Sequence, residues 1–161
     1  MGRAWVFGDN MSTDYIIPGR LNITSDPKEL RKHIFAYVRP EFVKDVKVGD
    51  VVIGGKNFGC GSSREHAAIV IRESGVYLVA QSYGWIFRRN CVNLGVLPLQ
   101  SAEPVKVRDG GAVELDLANH LLKDSESGRT FKLMPVPKIV LDIHRAGGLV
   151  DYLNSHKGYS L

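Results

Sequence analysis

The chain has 161 residues, 44% of them hydrophobic and 24% charged, with a formal net charge of +4 and two cysteines. That is one domain's worth of chain, read as a single unit over residues 1–161, with enough apolar material for one core. Its basic residues are scattered in runs no longer than two and fit no nucleic-acid-binding motif, while two thiols are too few for a zinc site or an iron–sulfur cluster.

The opening "MGRAWVFGDN" has no apolar run behind a basic start, so no secretory signal is expected. Val6 stands where a myristoylation motif needs Ser or Thr. Within it, "RAWVFGDN" predicts a short strand running into a turn. "TDYIIPGRLNITSD" reads as an irregular loop that ends on a helix cap at Ser25 or Asp26, with Pro27 at the first helical position. "PKELRKHIFAYV" repeats Leu30, Ile34 and Val38 at helical spacing, and Arg39-Pro40 ends it. "VVIGG" is a buried strand, "SREHAAIVIRES" a helix closed by Gly75, "VYLVAQS" a strand, "YGWIFRRNCVNLG" a helix and "VLPLQ" a strand. This alternation builds a parallel sheet with right-handed crossovers. From Val105 to Pro135 the chain turns rich in strands and turns and predicts antiparallel hairpins, and "PKIVLDIHRAGGLVDYLNSHKG" closes it with helices broken at Gly147-Gly148. The expected fold is therefore α/β, with a mostly parallel central sheet and an antiparallel annex. No apolar run approaches the length needed to cross a bilayer, and a reduced, cytoplasmic setting is the simplest expectation.

The densest concentration of unusual residues is "GGKNFGCGSSREHAA". Ser62-Ser63-Arg64-Glu65 fits a capping box, in which Ser62 and Glu65 satisfy each other's backbone amides. That reading leaves two features unexplained. Gly59 and Gly61 bracket Cys60, and Arg64 puts a cation where the helix dipole disfavours one, at a cost of a few tenths of a kcal/mol. An arginine placed there suits a bidentate grip on a carboxylate. A phosphate loop would need its lysine after the glycines, whereas Lys56 precedes them. Cys60 as a nucleophile near His66 is a second possibility. In the third, a serine hydroxyl transfers a proton while amides and Arg64 hold its anion.

"NFGCGSSREHAA", preceded by "DNMSTDYIIPGR" and followed by "VAQSYGWIFRRNCVNLGVLPL", resembles the swivelling domain of the aconitase superfamily, over residues 1 to 155 in the same order. It is most similar to the separate small subunits of 3-isopropylmalate dehydratases and homoaconitases. The resemblance implies a layered β/β/α swivelling domain. It also implies an obligatory large subunit carrying a [4Fe–4S] cluster, with no metal bound by this chain, and a hydro-lyase that isomerises a 2-hydroxy-dicarboxylic acid. It assigns Ser62 as the base, Ser63 and Arg64 to substrate carboxylates, and the "STD" segment, with Thr13 and Asp14, to the same site. Arg20 would begin the loop that meets the variable end of the substrate. Leu21 and Ile23 could line an isopropyl group, and no further cation for a tricarboxylate appears before Lys28. Isopropylmalate is thus favoured over homocitrate, with dimethylmalate-type acids and a carboxylate sensor without chemistry as alternatives. Cys60, His66 and Cys91 read as packing residues.

Overall fold

A computed structural model describes residues 1–21 and 24–156. Seven strands form one curled sheet in the order β4-β3-β2-β1-β5-β6-β7: β1 Gly2–Val6, β2 Val51–Gly54, β3 Tyr77–Ala80, β4 Pro98–Gln100, β5 Ala112–Asp116, β6 Leu121–Asp124 and β7 Thr130–Lys132. β1 to β4 pair in parallel, and β5, β6 and β7 add antiparallel to the other side of β1. The annex is therefore continuous with the parallel half. The two outer strands also meet: the Met134 amide donates to the Gln100 carbonyl at 2.7 Å, and the Ala102 amide to the Lys132 carbonyl at 3.1 Å. Curling in this way satisfies edge groups that would otherwise invite another chain.

Side-chain alternation along the strands sets the layers. Ala4, Val51, Ile53 and Val79 point inward and pack on Val113, Leu122 and Phe131 of the antiparallel half. Trp5, Val52, Leu78 and Ala80 point the other way, onto the helices. Those strands are apolar throughout because both of their faces are covered. The result is the β/β/α layering that the resemblance implied. The helical layer includes α1 Thr13–Ile16, α2 Pro27–Arg31, α3 Phe42–Asp45, α4 His66–Glu73 and α5 Trp85–Asn93, and α6 Lys138–Ala146 and α7 Leu149–Ser155 close the chain. Among the described residues no helix is long and apolar enough to cross a membrane.

Three local expectations are corrected. The segment after β1 is not wholly irregular: Ser12 caps the single turn α1, and its Oγ accepts from the Tyr15 amide. The helix expected over 27–38 keeps its Asp26 cap and Pro27 start but stops at Arg31. Phe35 adopts φ 53°, and its amide donates to the Ile16 carbonyl at 2.7 Å. A left-handed residue costs about 1–2 kcal/mol, and burying a phenylalanine returns about as much. The Phe35 ring is fully buried, stacked on Phe7 at 4.4 Å and edge-on to Phe42 at 4.8 Å. Finally, α4 begins at His66, with Glu65 at its cap position making no side-chain bond, so the Ser62–Glu65 capping box does not form. Cys91 lies wholly in the core, where burial holds its thiol well above the ordinary range and keeps it inert.

Candidate active site

Three loops leave the carboxyl ends of β1, β2 and β3 and meet, the place where open α/β sheets gather their ligands. Residues 7–12 follow β1, residues 55–65 follow β2 and residues 81–84 follow β3. Short parallel bridges link them, Ser12 with Cys60 and Phe58 with Tyr83. Phe58, fully buried, anchors the glycine loop in the aromatic core, 5.8 Å from the ring of Phe87. Gly59 sits at φ 74°, and a Cβ there would lie 2.1 Å from the buried Phe87 ring; Gly61 sits at φ 107°, facing Thr13 Oγ1. The two glycines bracketing Cys60 therefore answer to left-handed backbone and close approach.

Beyond Gly61 the chain is held against α1. Thr13 is 4% exposed, its amide donates to the Cys60 carbonyl at 2.8 Å, and its Oγ1 accepts from the Ser62 amide at 3.0 Å. Thr13 thus fixes the backbone of the serine. The Ser62 hydroxyl oxygen accepts twice from one residue, from the Arg64 amide at 3.3 Å and from Arg64 Nε at 3.0 Å. Asp14 is exposed in the first turn of α1. Thr13, Asp14, Ser62, Arg64 and His66 line one shallow depression of about 10 Å³, room for a single water. It is shallow and open, so an acid seated there would leave its far side uncovered for a second surface to close.

Ser63 does not line this depression; it is exposed, and Asn90 of α5 donates to its carbonyl at 3.2 Å. Arg20 is also turned aside, with its guanidinium 4.7 Å above the Tyr37 ring and its Nε donating to the Tyr37 hydroxyl. Leu21 ends a turn of 3-10 helix, Gly19–Leu21, half-buried and away from the depression, and Ile23 lies outside the described residues. His66, read from sequence as a packing residue, faces the depression and carries a buried Nδ1 without a hydrogen-bond partner. Helical spacing gives no sign of that. Among the described residues no backbone carbonyl accepts from the amides of Glu65, His66 and Ala67, which leaves the start of α4 with free donors. Nor do the described residues hold a group of three or more side chains able to bind a metal ion.

Gly19 is a further participant that pattern reading missed. A Cβ built on it would lie 2.7 Å from Arg64 Nη1 and 3.3 Å from Cζ, so the guanidinium rests on bare backbone. Gly19→Ala should push Arg64 off its seat with little loss of stability, because Arg64 is exposed and can swing outward. Misplacing a positioning group by about 1 Å can cost ~10²-fold. We expect any activity that depends on Arg64 to fall at least about tenfold in kcat/KM with an unchanged urea midpoint, and steady-state assays beside denaturation curves check this.

The aconitase C-terminal domain profile matches residues 44–104. The chain is 43% identical to the 3-isopropylmalate dehydratase small subunit 1 of Archaeoglobus fulgidus, over 96% of this chain and 97% of that one. It is 46% identical to the 3-isopropylmalate dehydratase small subunit of Aquifex aeolicus, over 94% and 92%. A crystal structure of 3-isopropylmalate dehydratase from Methanocaldococcus jannaschii superposes with a TM-score of 0.90 at 42% identity, covering 97% of this chain and 93% of that one.

Proposed function

Because this chain belongs to the family of 3-isopropylmalate dehydratase small subunits, we propose that it is one half of a cytoplasmic hydro-lyase that converts 2-isopropylmalate to 3-isopropylmalate in leucine biosynthesis. The observation that carries the reading is the Ser62 hydroxyl under two Arg64 donors at the rim of a shallow depression open on one side. The relatives' designation as small subunits supports a large partner. That partner would supply a [4Fe–4S] cluster whose open iron acts as a Lewis acid toward the departing hydroxyl.

This chain's residues do the proton work. Ser62, as the alkoxide, takes the proton from the carbon beside a substrate carboxylate. The C–H electron pair passes through the aci-carboxylate into the new double bond as the neighbouring C–O bond breaks and hydroxide leaves, the same hydroxide that adds back in the second half of the reaction. Rehydration with the opposite regiochemistry returns the Ser62 proton to the neighbouring carbon. Two hydrogen bonds to the oxygen favour its anion. The Arg64 Nη groups and the free amides opening α4 would hold the carboxylate that gathers charge, as other helix starts hold anions. Asp14 forms the facing wall, and Thr13 keeps Ser62 in register. Ser63 and Arg20 would turn toward the substrate only on closure over the partner, with Leu21 and Ile23 meeting its isopropyl end.

The test is to combine the chain with the isopropylmalate dehydratase large subunit of the same organism and follow the absorbance of the alkene intermediate. Alkene should form from 3-isopropylmalate and not from homocitrate. Turnover of homocitrate alone would reassign the substrate, and turnover of neither would leave a carboxylate-binding module.

A further inference from the structure

The open face continues onto a surface that the proposed chemistry does not use. α5 begins directly beyond Gly84, whose amide donates to the Phe58 carbonyl at 2.8 Å, and its Asn90 holds Ser63. Its first residue, Trp85, is 75% exposed, whereas Trp5, the other tryptophan, is fully buried. Between α5 and the segment entering α6 runs a groove of about 270 Å³, with Trp85, Arg88, Arg89, Val92, Pro137 and Val140 along it. Arg88 Nε is buried there without a hydrogen-bond partner. Among the described residues neither Arg88 nor Arg89 pairs with a carboxylate. An exposed tryptophan beside an arginine whose Nε is buried without a partner is the composition of an interface centre.

Building on the two-chain assembly proposed above, we infer that this groove is where the large subunit docks, laying an apolar side chain against Trp85 and carboxylates against Arg88 and Arg89. Three features favour that occupant. The groove starts at Trp85, directly after Gly84, which packs against Gly59 and Cys60 of the loop that carries Ser62. Two unpaired arginines call for acidic groups from outside. A second copy of this chain, meeting it about a two-fold axis, would bring like arginine pairs together and leave the catalytic face uncovered.

The test uses the full chain labelled with fluorotryptophan and titrated with the same organism's large subunit. Fluorine NMR resolves Trp5 from Trp85. The Trp85 resonance should shift and lose its access to a paramagnetic quencher on complex formation, while that of Trp5 stays put. Trp85→Ala, at an exposed position, and Arg88→Glu, at a half-buried one, should each weaken association about tenfold or more. Activity should return at saturating large subunit. Val48→Ala, at an 88% exposed position in the turn before β2, at the opposite end of the parallel strands, should bind like the unaltered chain. If Trp85 stays accessible in an active complex and both variants bind normally, the docking face is wrong and the proposed reaction stands. Failure of the unaltered chain to bind or activate the large subunit overturns both. Trp85 already covered in the isolated chain, by a second copy, overturns the docking face.

Discussion

Ser62→Ala should lower kcat of the assembled enzyme by about 10²–10⁴-fold, the range for losing a positioned proton-transfer group, with KM within about threefold of its original value. The split follows from what the side chain touches. The Ser62 oxygen accepts from the Arg64 amide and Nε, and its own amide is held by Thr13. Truncation removes the atom that carries the proton and leaves Arg64 and the α4 amides in place to bind the carboxylate. The fold should not suffer, because the deleted bonds lie on the exposed face and no capping box depends on them. Urea unfolding of the isolated variant separates this from simple destabilisation. A variant that keeps kcat within fivefold removes the serine from the base's role and leaves Arg64 as a plain carboxylate anchor.

The turn stood out because it breaks local rules, with glycines packed against a helix start and a cation at the wrong end of the dipole. Such violations concentrate where function overrides propensity. Those residues alone left Cys60 and a serine both open, and only the resemblance pointed to Ser62. The strands and crossovers were legible for the opposite reason. "VVIGG" and "VYLVA" are apolar at every position because the sheet is covered on both faces, as Val52 on the helix side and Val51 and Ile53 on the inner side make plain. Contacts across the fold were not legible. Nothing in "IIPGR" says that Gly19 is a seat for Arg64, and nothing in "RRNCVN" says that Asn90 reaches Ser63. Tertiary packing also overrode local pattern at Phe35, where entry of the ring into the aromatic core ended a helix that periodicity would have continued. The capping box failed for a related reason, since the Ser62 amide and hydroxyl are committed to Thr13 and Arg64 before α4 begins.

Arg64→Lys keeps the charge and should still lower kcat/KM by roughly 10²-fold, because the site uses the shape of the guanidinium. One edge of that plane, Nε, faces Ser62 at 3.0 Å while Nη1, Nη2 and Cζ lie over Gly19. A flat group can rest on the glycine, donate sideways to the serine and offer its two terminal nitrogens to a carboxylate together. An ammonium is a compact point charge and serves one of those partners at a time. Each charge-assisted bond lost costs about 1.5–3 kcal/mol, and the loss should divide between KM, about tenfold higher, and kcat, about tenfold lower. The division can be tested on the Ser62→Ala background, where Arg64 has no serine oxygen left to donate to. There, Arg64→Lys should raise KM as before and leave kcat unchanged, a non-additivity diagnostic of residues that act through one another. If the two kcat losses multiply in the double variant, Arg64 does not work through the Ser62 oxygen, and the short contact between them is only packing.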